Sequence, residues 1–166
     1  MKAVQNTIPD RKYRWRYSKA QLTAAFPKEM KHGPKRSKEN VRAFTAVTDG
    51  QLQCARSYGI KLILECKKDK REKCGLQVDM QEAAQIVAWV KEYPSTERQR
   101  VLISHNGPQI YVTFAKYDDA WVDYLEGKDV KGNDKSLLTM SRVGPFTIDN
   151  VDEMRAVVTI LVALHL

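Results

Sequence analysis

The chain has 166 residues, with 28 Lys/Arg against 20 Asp/Glu, a formal net charge of +8 and an isoelectric point near 9.4. That length suits one domain, which buries roughly two-thirds of its unfolded surface without disulfide staples. Cys54, Cys66 and Cys74 fit no Cys-x-x-Cys pattern, no apolar leader precedes residue 12, and the longest apolar run, 156–166, is too short to span a bilayer. These features favour reduced thiols over a disulfide framework, leave a zinc site with His105 as a minor alternative, argue against a helical membrane span, and predict an intracellular protein, cytoplasmic or nuclear.

Residues 1–36 read as a basic N-terminal arm with one short helix, and 37–166 as the core. In Arg11-Lys12-Tyr13-Arg14-Trp15-Arg16-Tyr17 cations alternate with aromatics, as in a strand or extended arm. Ser18 stands where an N-cap would open a helix over 19–26, closed by Pro27. A basic loop over 28–37 and a short segment capped by Ser37 and containing Glu39 come next. From Val41 the pattern turns to strand, with 44–48, an Asp49-Gly50 turn, 51–55, a turn at Ser57-Tyr58-Gly59, and the strand Lys61-Leu62-Ile63-Leu64-Glu65-Cys66-Lys67.

Asp79 with Glu82 looks like a capping box opening a helix from Met80 to Tyr93, with an apolar stripe of Ala83, Ile86, Val87 and Val90. Strands at 100–104 and 110–115 flank a turn at Asn106-Gly107-Pro108, with His105 in that turn. An acidic helix or loop covers 118–127, and a polar loop runs through Lys135. After a turn at Gly144-Pro145, Asp149 or Asp152 would cap a closing core helix. That order predicts an α/β fold with a mixed central sheet flanked by helices. The apolar ending at Leu166 suggests one domain of a longer chain, with neighbouring domains as partners.

Chemistry concentrates in the 61–67 strand. Alternate residues of a strand share a face, so Ile63, Glu65 and Lys67 point one way and Leu62, Leu64 and Cys66 the other. Glu65 and Lys67 are expected at an exposed strand end near Asp49, with Leu62 and Leu64 buried. A carboxylate beside an ammonium can hold a metal ion and steer a hydroxide or phosphate, the chemistry of phosphodiester cleavage.

The charge distribution agrees with a polyanionic substrate, since residues 1–75 carry a balance of +12 and 76–166 one of −4. The segment 11–17 alone is equally well a surface strand with a solvated charged face. Three basic clusters in one half favour DNA, with RNA left open, and the contacts expected are Arg11, Lys12, Arg14, Arg16, Lys35, Arg36, Lys68, Lys70 and Arg71.

Four stretches in order, Val47-Thr48-Asp49-Gly50, Leu64-Glu65-Cys66-Lys67, the 79–85 helix start with Gln81, and Leu102 to Pro108, give the chain its likeness. It resembles the PD-(D/E)xK nuclease superfamily over about residues 37–166, nearest the restriction-endonuclease-like domains of fungal and oomycete Crinkler-type effectors. The family's Pro before the first Asp is Thr48 here. The resemblance implies a restriction-endonuclease-like core that hydrolyses DNA with Mg²⁺ or Mn²⁺. Asp49, Glu65 and the backbone carbonyl of Cys66 would be metal ligands, Glu39 a second acidic position, Lys67 the activator of water or stabiliser of the transition state, and Gln81 a residue at the catalytic periphery. Two alternatives stand beside it, a catalytically weakened DNA-binding effector module and a protein-interaction domain.

Overall fold

The computed structural model describes residues 12–32, 35–73, 75–128 and 136–164; the side chains of 28–32, 35–40 and 42 fall outside that description. Arg11, Cys74 and most of the loop ending at Lys135 therefore lie outside it, as do the side chains of Lys35, Arg36 and Glu39.

The strands are β1 (Tyr13–Arg16), β2 (Ala20–His32), β3 (Lys35–Thr48), β4 (Gly50–Cys54), β5 (Ile60–Lys67), β6 (Gln99–Asn106), β7 (Gln109–Lys116) and β8 (Thr139–Thr147). The helices are α1 (Gly75–Glu92), α2 (Asp119–Leu125) and α3 (Val151–Ala163), and a 3-10 turn covers Arg71–Lys73. Six strands form one mixed sheet in the order β1-β4-β5-β6-β7-β8, while β2 and β3 form a separate two-stranded sheet among the described residues. All neighbours in the large sheet are antiparallel except β5 and β6, which run parallel with α1 as their crossover. The α/β class with a mixed sheet is therefore as the sequence predicts.

β5 lies inside the sheet because its residues are apolar on both faces, and parallel pairing places a strand where both faces are covered. On one face Ile63 and Leu102 pack with Ile86 and Trp89 of α1, and Leu22, Ala24 and Ala46 of the β2–β3 ribbon join the same layer. On the other, Leu62, Leu64, Ile103 and Val112 pack with Trp15, Leu52, Val157 and Leu161. Each such aliphatic side chain contributes roughly 1.5–3 kcal/mol when fully buried. Trp89 and Trp121 are core residues, as expected.

Several expectations are corrected here. The helix expected over 19–26 is instead strand from Ala20 on, and within the basic loop expected over 28–37 and the capped segment around Glu39 the described residues belong to β2 and β3, with 33–34 outside the described residues. Leu22, Ala24 and Phe26 recur at every second position, and pairing with Ala46 and Phe44 buries them as a strand. β1 is hydrogen-bonded to β4, and a boundary at 36/37 falls within β3, so the described residues of the expected arm pair with the rest of the chain. The helix expected from Met80 begins at Gly75, with Asp79 inside it rather than at its cap. Its buried positions include Val78, Glu82, Gln85, Ile86 and Trp89, so the inward stripe is partly polar.

β6 extends through His105 to Asn106, which removes His105 from the turn. Gly144 and Pro145 lie within β8, joined by a cis peptide bond. Neither Asp149 nor Asp152 caps α3; Asn150 does, its side chain accepting from the backbone N–H groups of Asp152 at 3.1 Å and Glu153 at 3.3 Å. α3 buries Val157 and Leu161 but leaves Val151, Val158 and Val162 exposed. Among the described residues, no helix is long and apolar enough to cross a membrane.

The ribbon has one irregularity. Ala24 pairs with Phe44 but Ala25 with Arg42, which leaves Ala43 as an extra residue. Such a bulge bends its strand and sharpens the local twist. It falls next to Phe26 and Phe44, which pack against the core.

Candidate functional site

The carboxyl end of β5 meets the junction of β3 and β4. Gly50 is in register with Leu64, so antiparallel pairing sets Asp49 opposite Glu65. Two backbone bonds fix this corner: the Asp49 N–H donates to the Leu64 carbonyl at 2.9 Å, and the Cys66 N–H donates to Asp49 Oδ2 at 2.9 Å. Asp49 is thus more than a turn residue, because its carboxylate ties β5 to the start of β4. Lys19 Nζ lies 4.0 Å from its other oxygen.

Glu65 and Lys67 share a face, as the alternation requires, and Lys67 Nζ is 2.6 Å from Glu65 Oε1. That face is not solvent, however. α1 covers it, and Glu65 is only 2% exposed. Gln81 Nε2 donates to Glu65 Oε1 at 2.7 Å, and Gln85 Nε2 donates to Oε2 at 2.6 Å. The two glutamines are one helical turn apart and so reach one partner from the same side of α1. Gln85 also donates to the Val47 carbonyl at 2.8 Å, linking the helix to the strand that leads into Asp49. Its role is missed when Gln81 is considered alone; the i, i+4 repeat of glutamine was the available signal.

A carboxylate offers about four acceptor positions, and these three donors leave one on Glu65. Several buried polar atoms on the neighbouring strands and helix have no partner among the described residues: Thr48 Oγ1, just before Asp49 in the chain, Gln85 Oε1, and both amide atoms of Asn106, a fully buried residue in register with Lys67. Buried polar atoms of this kind ordinarily bind water or a ligand. Among the described residues, no cluster of three or more His, Cys, Asp or Glu side chains could hold a metal. Two carboxylates, a backbone carbonyl and water nevertheless compose an all-oxygen set of the kind Mg²⁺ takes, since it keeps several of its waters. The donor chemistry at Asp49, Glu65 and Cys66 fits such an ion and does not fit zinc.

The side chain of Glu39 lies outside the described residues. Its backbone is on the same strand as Thr48, in register with Lys28. At about 3.3 Å per residue, the ten steps from Glu39 to Asp49 measure about 30 Å of strand, bent at the Ala43 bulge.

Beside Glu65, in register on β6, is Ser104. Its hydroxyl donates to Glu82, which is fully buried and anchors a second network. Arg71 grips Glu82 with two bonds of 2.7 and 2.8 Å, also bonds Asp79, and lies over the Tyr111 ring. Arg142 of β8 reaches Asp79 at 2.6 Å and Glu82 at 3.2 Å. Burial opposes the charge of Arg71, but its bonds to Glu82 and Asp79 prevail and raise its pKa. Burial works against the Asp79 carboxylate too, and the two arginines overcome it and lower its pKa. Arg71 is therefore turned inward and engaged by acids, unlike the exposed phosphate contact expected of it.

The other basic residues lie outside. Lys12, Arg14, Arg16, Lys68 and Lys70 are exposed. Register places Arg16 with Gln51 and Gln51 with Ile63, so Arg14 and Arg16 occupy the sheet face that carries Glu65 and Lys67. The loop bearing Lys68 and Lys70 is clasped by the Gly107 turn, whose N–H donates to the Lys67 carbonyl at 2.9 Å. Gly107 has φ of +58°, and a Cβ there would meet Lys68 O at 3.3 Å, so this turn needs glycine.

The cysteines differ in chemistry. Hydrogen bonds from the Ser57 side chain and from the backbone of Ser57 and Arg56 lower the Cys54 pKa to about 7. Partial burial raises that of Cys66, and the Asp49 and Glu65 carboxylates add to the effect. Because the thiolate is the nucleophile, iodoacetamide at pH 7 should modify Cys54 several-fold faster than Cys66 in a peptide map. Equal rates would contradict these environments.

No family model matches the chain, no curated protein matches it, and no solved structure matches it. What the fold defines is an α/β domain with a mixed six-stranded sheet, carrying an acid-lysine site at the β3–β4 and β5 corner.

Proposed function

We propose that this chain is a metal-dependent endonuclease with a restriction-endonuclease-like core, hydrolysing DNA phosphodiester bonds at the Asp49, Glu65 and Lys67 corner. The observation that carries the reading is Glu65, a buried carboxylate oriented by Gln81 and Gln85 and set opposite Asp49, with Lys67 on it. Asp49, Glu65 and the Cys66 carbonyl would hold Mg²⁺ or Mn²⁺, which supplies Lewis-acid activation of water and of a phosphoryl oxygen. Lys67 keeps a positive charge where negative charge develops in the transition state, within a protein environment that strengthens the interaction. Gln81 and Gln85 fix the rotamer of Glu65, and Asn106 offers hydrogen bonds to a water or phosphate oxygen beside Lys67. Arg14, Arg16, Lys68 and Lys70 supply phosphate contacts that position the strand.

The test is nicking of supercoiled plasmid by purified protein with Mg²⁺ or Mn²⁺. Wild type should cut, EDTA should stop it, and Glu65→Gln should remove it while leaving the melting temperature within a few degrees. One observation favours a second reading, a DNA-binding module without turnover, because Lys67 and two glutamines already engage Glu65. Wild type that binds duplex tightly but cuts with neither metal would establish that second reading and end the first.

A further inference from the structure

We propose that the cavity at the amino ends of β5 and β6 is a site for a small carboxylate-bearing disulfide, of which glutathione disulfide is the type, and that it presents this ligand to Cys54 for thiol exchange. It lies at the opposite end of β5 from Glu65 and requires nothing of the nuclease reading.

The cavity holds about 630 Å³ between the turn after β4, the starts of β5 and β6, and the end of α1. Sites for small ligands have this size, roughly 300–1,000 Å³. Its wall includes two side chains withdrawn from solvent, Trp89, which is fully buried, and Arg100, which is 5% exposed. The Arg100 guanidinium lies over the Trp89 ring, 4.8 Å from its centroid, and donates to the Tyr93 carbonyl at 2.9 Å. Neither nearby acid answers its charge with an ion pair. Glu97 is bonded to Lys61 at 3.3 Å, and Glu92 accepts from the Thr23 N–H. Burial therefore lowers the Arg100 pKa, against opposing pulls from Tyr117 and Glu97.

Two buried polar atoms of these wall residues have no partner among the described residues, Arg100 Nε and Trp89 Nε1. Both are donors, and neither can accept. A ligand that satisfies them brings oxygen acceptors, and next to a guanidinium a carboxylate makes the strongest of such bonds.

Cys54 lines the same cavity. The hydrogen bonds from Ser57 and Arg56 bring its pKa to about 7, and thiol exchange is fastest when the attacking thiol has a pKa near the ambient pH. In the step, the Cys54 thiolate attacks one sulfur of the disulfide. A new S–S bond forms to Cys54, the original S–S bond breaks, and the second sulfur leaves as a thiolate that takes a proton from water. No oxidant beyond the disulfide itself enters. Cys66 is a poor competitor, because the charges of Asp49 and Glu65 oppose its thiolate and would repel an anionic disulfide as well.

The test incubates purified protein at neutral pH with glutathione disulfide, with neutral bis(2-hydroxyethyl) disulfide or with cationic cystamine, and reads the rate at Cys54 by intact mass and peptide mapping. The ratio of the glutathione disulfide rate to the neutral rate should be at least about tenfold higher in the folded protein than in the same protein unfolded in urea, the scale of one charge-assisted hydrogen bond. In Arg100→Gln that excess should vanish. Cys54→Ser leaves the buried wall intact and gives a second reading. In that protein S-methylglutathione should move the indole N–H resonance of Trp89 in a proton–nitrogen correlation spectrum, and its diester, which lacks both carboxylates, should not.

A ratio equal to that of the unfolded chain, or one retained in a folded Arg100→Gln, would overturn the site. Cystamine showing the same excess, or the diester moving the Trp89 resonance equally, would overturn the carboxylate assignment. A Trp89 resonance that S-methylglutathione leaves in place would overturn the cavity as the recognition site, and this holds even where Arg100→Gln does not fold.

Discussion

Replacing Lys67 with Ala should lower the rate constant for DNA cleavage by at least about 10²-fold, the scale of losing one electrostatic group at a transition state, while the Kd for the same duplex changes less than about threefold. The asymmetry follows from position. Lys67 bonds Glu65 at 2.6 Å, so on the proposed reading it acts at the reacting corner, whereas affinity would be spread over the many exposed cations elsewhere. A group engaged chiefly in the transition state shows its loss in rate rather than in binding. Lys67→Arg separates charge from shape, because a planar guanidinium is not interchangeable with a compact ammonium; it should recover binding fully and rate only in part. Single-turnover cleavage at saturating protein is the measurement, and cleavage undiminished in Lys67→Ala would remove Lys67 from the chemistry.

Glu82→Ala should produce the largest loss of stability among single substitutions near the site. It leaves the Arg71 guanidinium buried with its main partner gone, and deleting one side of a buried ion pair costs about 3–5 kcal/mol. For a domain of this size each kcal/mol shifts the melting temperature by about 2–4 °C, so the drop should be on the order of 10 °C. The paired replacement Glu82→Leu with Arg71→Met removes both charges and should recover much of it. Glu82→Ala melting within 2 °C of wild type, in a thermal scan followed by circular dichroism, would show that the network contributes nothing. Asp79 adds a pH signature. Its pKa is depressed in the fold, so its contribution is fully present above the ordinary value of 3.8 and fades as pH falls through the lower folded value. Asp79→Asn should flatten that acid limb of the stability curve.

The corner itself was legible because strand parity is a local property. A two-residue period in 61–67 suffices to put Glu65 beside Lys67, and an Asp-Gly before a paired strand suffices to bring Asp49 near. What covers a face is not local, so Glu65 was expected in water and lies beneath α1. The ribbon shows the same limit. Residues 19–26 contain Ala, Leu and Gln, which favour helices, yet the mate supplied by 41–48 overrides that preference. Arg71, in a run of cations, carried no mark of being the one drawn inward. Its acids, Asp79 and Glu82, come from a helix that looked capped by them.

The bulge at Ala43 also sets a rule for how this chain can change length. Side chains alternate with a period of two, so removing or adding a single rung outside the bulge would exchange the two faces of everything beyond it. Removing or adding rungs in even numbers would preserve them. Neither alteration touches Leu22, Ala24 or Ala46, which are fixed on the core side of the bulge. The ribbon can therefore be retailored by insertion or deletion in matched, even steps while the acid-lysine corner stays where it is.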